Sequence, residues 1–303
     1  MRYLVRLSAI VITYMSVALP NAIAHTDTNL LSTQEWTFDP WVWLPISIGS
    51  LWYFKGSWML RKKRSSIRAN HLRLLTTFGV ALIILFFALI WPLDKLSTVS
   101  FAAHMIQHML LIVIAAPLLI LAEPSVALIM ALPQAWRRSF SALHARLRRI
   151  RRIFLLPQTT FTVHAAIIWI WHAPLLFELA LHWQWMHAIE HFTLFGSALW
   201  FWTSLKRAGR RSDDGYGVGA LWILAMLIHT GLLGALITFA RQPLYVHYAT
   251  SDSLLFSLTP LEDQQLAGLL MWIPVGICYL LAGILFALAW LKSAEDEDKQ
   301  LFY

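Results

Sequence analysis

Apolar residues in this chain run in long unbroken blocks, not at the spacing of one face of a soluble helix. Seven blocks, roughly 41–60, 72–91, 100–122, 158–180, 185–205, 217–240 and 266–291, come close to or exceed the ~20 residues that a helix needs to cross a hydrocarbon core ~30 Å thick. In lipid each must be helical, because backbone N–H and C=O groups find no water there. The pattern predicts an all-α, polytopic membrane protein with a seven-transmembrane-helix bundle over 41–291. A shorter block precedes it. Arg2 and Arg6, an apolar run from Leu7 to Leu19, and the small-x-small ending of Pro20-Asn21-Ala22-Ile23-Ala24 read as a signal peptide, 1–24, that is cleaved. Residues 25–40 then form an outer N-terminal segment, and 292–303 a tail carrying Glu295, Asp296, Glu297 and Asp298.

Composition supports the same class: 58% of residues are hydrophobic and only 13% charged, which no water-soluble surface accommodates. The charges set the topology. Lys and Arg number 19 in the segments at 61–73, 133–157 and 206–211 and in the tail, against 2, Lys95 and Arg241, in the alternate loops. Positive charge collects on the cytoplasmic side, so the mature N-terminus is expected outside, periplasmic or extracellular, and the tail inside. The 133–157 segment interleaves seven arginines with Trp136, Phe140, Leu143 and Leu147, a pattern suited to a helix lying on anionic lipid. Net charge is +8, yet no nucleic-acid-binding module is present, so no nucleic-acid partner is expected. The single cysteine, Cys278, lies in an apolar run and excludes disulfides and thiolate cages; a metal would need other ligands.

Twelve histidines provide them. His71, His144 and His164 read as loop or interfacial residues on the inner side, His182 and His247 as solvated residues of outer loops, and His229 as a packed polar residue. His25 falls in the outer N-terminal segment, and the remaining five form a pattern. His104 and His108 are four apart, one and two turns below the outer end of the third block, and His187 and His191 repeat that spacing in the fifth. His172 in the fourth block lies ~12 to 15 Å below its outer end, before the helix-breaking Pro174. One such residue is ordinarily a hydrogen-bonded interhelical side chain. Five at matching depth on three helices point to a shared metal or haem site built from His104, His108, His172, His187 and His191.

Imidazole suits zinc, copper, iron or nickel, and thioethers nearby (Met105, Met109, Met186, Met271) would favour reduced copper. Glu190 reads as a residue that orients a ligand without binding the ion itself. Two alternatives stay open: a haem-binding or quinone-linked membrane electron carrier, and a zinc metallopeptidase. For the second, His187-Ala188-Ile189-Glu190-His191 formally matches H-x-x-E-H but has no identifiable further carboxylate ligand.

The strings FAAHMIQHMLLIVIAAPLLILAEP, WIWHAPLLFELALH, MHAIEHFTLFGSALWFW and DQQLAGLLMWIPVG occur in this order over about residues 41 to 291. Together they resemble the multi-spanning CtaG-type assembly factors of bacterial cytochrome c oxidase. The resemblance implies an assembly factor without enzymatic turnover, with oxidase subunits and the bilayer as partners and copper supplied to the haem-copper oxidase. It places the family's histidine motifs on His104, His108, His172, His187 and His191, and its last motif on Asp263, Gln264, Gly268, Trp272 and Pro274. On this view the 241–265 loop, with Tyr245, Tyr248 and Asp263, forms a lid or docking edge.

Overall fold

The structure is a computed structural model that describes residues 39–63, 65–210, 214–249 and 258–301, with the side chains of 63, 65–69 and 296–301 left aside. The expected signal peptide, nearly all of the N-terminal segment and the acids at 296–298 lie outside that description. The described residues are helical and contain no strand. The long elements are α1 (Pro40–Lys63), α2 (Ser65–Leu89), then a short α3 (Leu93–Leu96) and the α4 helix (Phe101–Met109). The last runs through a π-helical segment, Leu110–Ala115, into α5 (Ala116–Leu121). Then come α6 (Pro124–Ala131), α7 (Gln134–Arg146), α8 (Arg148–Phe154), α9 (Pro157–His172), α10 (Pro174–His182), α11 (Gln184–Gly209), α12 (Gly215–Thr238), α13 (Val246–Ala249) and α14 (Pro260–Leu301).

Among the described residues, four stretches are long and apolar enough to cross a membrane: Asn70–Leu96, Phe101–Leu121, Gly215–Thr238 and Pro260–Glu295. The pair α8 and α9, bent by 55° at its break, makes five if it forms one span. The blocks expected at 41–60 and 185–205 are continuous helices, but they fall short of the same mean hydropathy. Trp, Tyr and Lys55 dilute α1, and His187, Glu190 and His191 dilute α11. The protein is thus a multi-pass helical membrane protein. Its α7 and α8 expose Trp136, Phe140, Ile150, Ile153 and Phe154 along with their arginines.

Two local breaks follow from proline. Pro117 lacks the N–H that would bond the Val113 carbonyl, and the turn just before it widens to the π form. The indole of Trp202 on α11 donates to the neighbouring Ile112 carbonyl at 3.1 Å, tying that widened turn to the bundle. Pro174 ends α9: His172 is its last residue, and Ala173 is extended before α10 begins.

The largest helix contact joins α12 and α14. It is close because two glycines meet: a Cβ on Gly268 would lie 2.4 Å from Thr238 Oγ1 and 2.7 Å from the Gly234 carbonyl oxygen. Small residues at a crossing let helix backbones approach in lipid. The first turn of α14 in turn anchors α4. Asp263, 2% exposed, accepts from Ser100 Oγ at 2.8 Å and from the Phe101 N–H at 2.6 Å, while Ser100 Oγ accepts from the Ala103 N–H. A carboxylate on the first N–H groups of a helix satisfies donors that otherwise have no partner and favours the dipole. Gln264 accepts from the Leu244 N–H at 2.6 Å. The Asp-Gln motif is therefore a fastener between helix ends, and Asp263 is buried instead of lying on a lid.

Candidate metal centre

Helix α4 turns His104 and His108 inward, both fully buried, with ring centroids 4.4 Å apart. The first turns of α11 face them with His187, Glu190 and His191. The His108–His191 centroids are 5.1 Å apart, His104–His187 5.4 Å, His104–His191 6.4 Å and His187–His191 4.1 Å. Glu190 is fully buried between the two helices, one carboxylate oxygen 3.8 Å from His104 Nε2 and the other 3.8 Å from His108 Nε2. His187 and His191 remain partly exposed and form the open side of the group.

These groups lack ordinary partners. Among the described residues, His104 Nε2, both ring nitrogens of His108, the Nε2 atoms of His187 and His191 and both oxygens of Glu190 are buried with no hydrogen bond. Each such atom costs about 1–3 kcal/mol in a folded interior, so their gathering at one point calls for an occupant. One donor atom from each of His104, His108 and Glu190 lies within 4.8 Å of the others. A tetrahedral ion with bonds of ~2.0–2.1 Å holds its donors ~3.3 Å apart, so small side-chain rotations close the group around one ion.

The ring of His104 is fixed for this purpose. Tyr248 donates its hydroxyl proton to the Ser97 carbonyl, so its oxygen accepts from His104 Nδ1 at 3.3 Å. Nε2 of a neutral ring then presents its lone pair to Glu190 and His108, as for metal-ligating histidines whose other nitrogen donates to a fixed acceptor. Tyr248, Tyr245, Phe101 and Phe177 pack over this end of the site, with Phe177 5.0 Å from the His104 ring. Both tyrosines are buried, 5% and 2% exposed, so they cap the cluster from within the bundle. Gln107 donates to the Ala88 carbonyl at 2.8 Å and to Asp94 at 3.1 Å, which holds α4 against α2 and α3.

Four of the five expected histidines converge; the fifth is directed differently. His172 contacts the Ile168 carbonyl through Nδ1 at 2.7 Å and Met105 Sδ through Nε2 at 3.4 Å, so neither nitrogen joins the Glu190 group. Glu190, expected to orient a neighbour, is instead a prospective donor itself. Its place was readable from its position three residues after His187 on the same helical face. His164 differs too. Because α9 begins at Pro157, His164 sits two turns inside it, fully buried, with Nδ1 2.8 Å from Ser197 Oγ. His71 is also nearly buried, sharing a hydrogen bond with Ser57, whereas His144 is exposed as expected. His229 packs against Phe161 and Trp169, and His182 and His247 lie together with ring centroids 6.3 Å apart.

At the other end of the α4–α5 stretch is a polar group of another kind. Glu123 has left-handed backbone (φ 54°), and its Oε1 lies 2.7 Å from Arg210 Nη2 and 3.2 Å from Lys206 Nζ. Lys206 also donates to the Ile120 carbonyl at 2.7 Å, and Tyr53 to those of Ala122 and Leu74. Burial alone would raise the Glu123 carboxyl, but the Arg210 hydrogen bond and the Lys206 charge outweigh it and hold it below the ordinary carboxylate value. Sequence reading did not single this clamp out.

Fold and site thus define a multi-pass helical membrane protein with a buried imidazole–carboxylate group that can hold a metal ion. Residues 51–293 match the model of the cytochrome c oxidase caa3 assembly factor family (Caa3_CtaG), and the chain belongs to that family. Comparison with curated proteins and with solved structures gave no match.

Proposed function

We propose that this chain supports copper insertion into the haem-copper oxidase, with His104, His108 and Glu190 holding the ion and His187 and His191 passing it in or out. Copper is cargo in this reading, and the protein acts through binding, without turnover. The observation that carries it is the set of buried donor atoms without hydrogen bonds at one point between α4 and α11. A haem between opposed imidazoles would need them much further apart than the 4.1–6.4 Å centroid separations here. As for peptidase chemistry, Glu190 faces two histidines of another helix, in the place of an additional donor rather than of a base above an open water site. The membrane domain is read as seven spans over 41–291 with the cluster near the outer surface of a bacterial inner membrane, supported by the 19-to-2 distribution of Lys and Arg. Its partners are then the oxidase subunits that receive copper.

The test compares His108→Ala and His191→Ala with the parent for the amount of this protein and for oxidase activity in the same membranes, with and without added copper. Normal protein amounts, reduced oxidase and recovery with copper are expected, because a weakened site refills once free ion approaches its raised Kd. Unchanged oxidase in both variants, or a loss of protein that copper cannot repair, overturns the proposal.

A further inference from the structure

The contact between His172 and Met105 has a geometry that packing does not require. Nδ1 of His172 faces the Ile168 carbonyl oxygen at 2.7 Å, and that oxygen can only accept, so the ring proton is on Nδ1. Nε2 of the neutral ring is therefore a lone pair, and it points at the thioether sulfur of Met105 at 3.4 Å. Two electron-pair donors face each other with no proton between them. Met105 is fully buried and His172 only 7% exposed, so water does not explain the arrangement.

The geometry points to a second, softer metal subsite formed by His172 Nε2 and Met105 Sδ, suited to a cuprous ion. Taking zinc's bond lengths of ~2.1 Å to nitrogen and ~2.3 Å to sulfur, an ion bridging a 3.4 Å gap subtends an angle of roughly 100°. That lies close to the angle of a tetrahedral site, so the two donors need not move apart to take an ion. The histidine has the arrangement usual for a ligand, its far nitrogen held by a carbonyl that fixes ring and tautomer. Thioether with imidazole selects copper(I), whereas the imidazole–carboxylate group of His104, His108 and Glu190 also suits harder divalent ions. Met105 follows His104 directly on α4, so the two subsites draw donors from the same turn of that helix. The tyrosine that caps this end, Tyr245, donates to the His172 carbonyl at 3.0 Å and holds the end of α9 in place. This subsite rests on the copper reading above and names the oxidation state that the site prefers.

The test uses the full chain purified in detergent, titrated separately with copper(I) against a chromophoric chelator and with zinc(II), and compared with Met105→Leu. Leucine keeps the side-chain volume and removes the sulfur. The variant should bind copper(I) roughly tenfold or more weakly while its zinc affinity stays within about twofold. The copper absorption-edge spectrum of the parent loaded with one equivalent of copper(I) should show a sulfur neighbour. That second measurement does not depend on the variant folding. A copper(I) spectrum with only nitrogen and oxygen neighbours, or equal weakening of both ions in Met105→Leu, overturns the subsite and leaves the His104–His108–Glu190 site standing. A parent chain that binds neither ion overturns both.

Discussion

Glu190, on α11, and Glu123, just after α5, are carboxylates at the two ends of the contact between α11 and the α4–α5 stretch, and they are treated in opposite ways. Glu123, with about a third of its side chain exposed, is neutralised by Arg210 and Lys206, and its surroundings satisfy the carbonyls at the end of α5. Glu190 is fully buried, accepts no hydrogen bond among the described residues and faces the Nε2 atoms of His104 and His108, which are also unpaired. A structural carboxylate in a protein interior is satisfied, because leaving it otherwise costs more than a neutral isostere would. The Glu123 clamp meets that requirement and the Glu190 group does not. What sets the Glu190 group apart from the Glu123 clamp is the gathering of unpaired donor atoms from two helices at one point.

The largest effect should come from cutting the scaffold behind the Glu190 group without touching a donor. Asp263→Ala removes two bonds to a buried carboxylate from the start of α4, worth about 3 kcal/mol together. The thermal midpoint in detergent should fall sharply and metal binding should fall with it. Retention of both would show that α4 does not depend on this anchor for its register. Next is the Glu123 clamp: Glu123→Ala should cost about 1 kcal/mol, discounted because Arg210 is 62% exposed, and should leave metal affinity unchanged. A loss of metal there would mean that the two regions are coupled.

The clamp also predicts a pH dependence. Since the Glu123 carboxyl is held below its ordinary value, its contribution is complete above about pH 5 and disappears as pH falls through the lowered value. The difference in thermal midpoint between parent and Glu123→Gln should therefore be constant at neutral pH and shrink on acidification. A difference that grows as pH falls contradicts the assignment. The smallest stability effect belongs to Glu190→Gln. With no hydrogen bond to lose, the metal-free variant should melt within about 0.5 kcal/mol of the parent or slightly above it.

The two histidine pairs could be read directly, because spacing of four on a helix fixes a common face and the ends of the apolar blocks fix a common depth. The direction of His172 could not: it depends on the helix break at Ala173 and on a single i−4 carbonyl contact, neither of which spacing reveals. Asp263 looked like a loop residue because its partners, Ser100 and Phe101, are more than 160 residues away in the chain. Glu123 lies in the quoted Ala122-Glu123-Pro124 string, but its left-handed backbone and its reach to Arg210 exist only after α11 has packed. The number of spans does not follow from block length alone, since the polar side chains that build the site lower the hydropathy of α11, the helix that carries three of them.

The most direct test of the central claim is the thermal midpoint of the purified chain with and without added copper or zinc, in the parent and in Glu190→Gln, His108→Ala and Glu123→Gln. An ion that binds only the folded state at ~100 times its Kd stabilises by about 2.7 kcal/mol. The account predicts a metal-dependent rise in the parent and in Glu123→Gln, and its loss or strong reduction in Glu190→Gln and His108→Ala. An equal rise in all four proteins, or none in the parent, would contradict it.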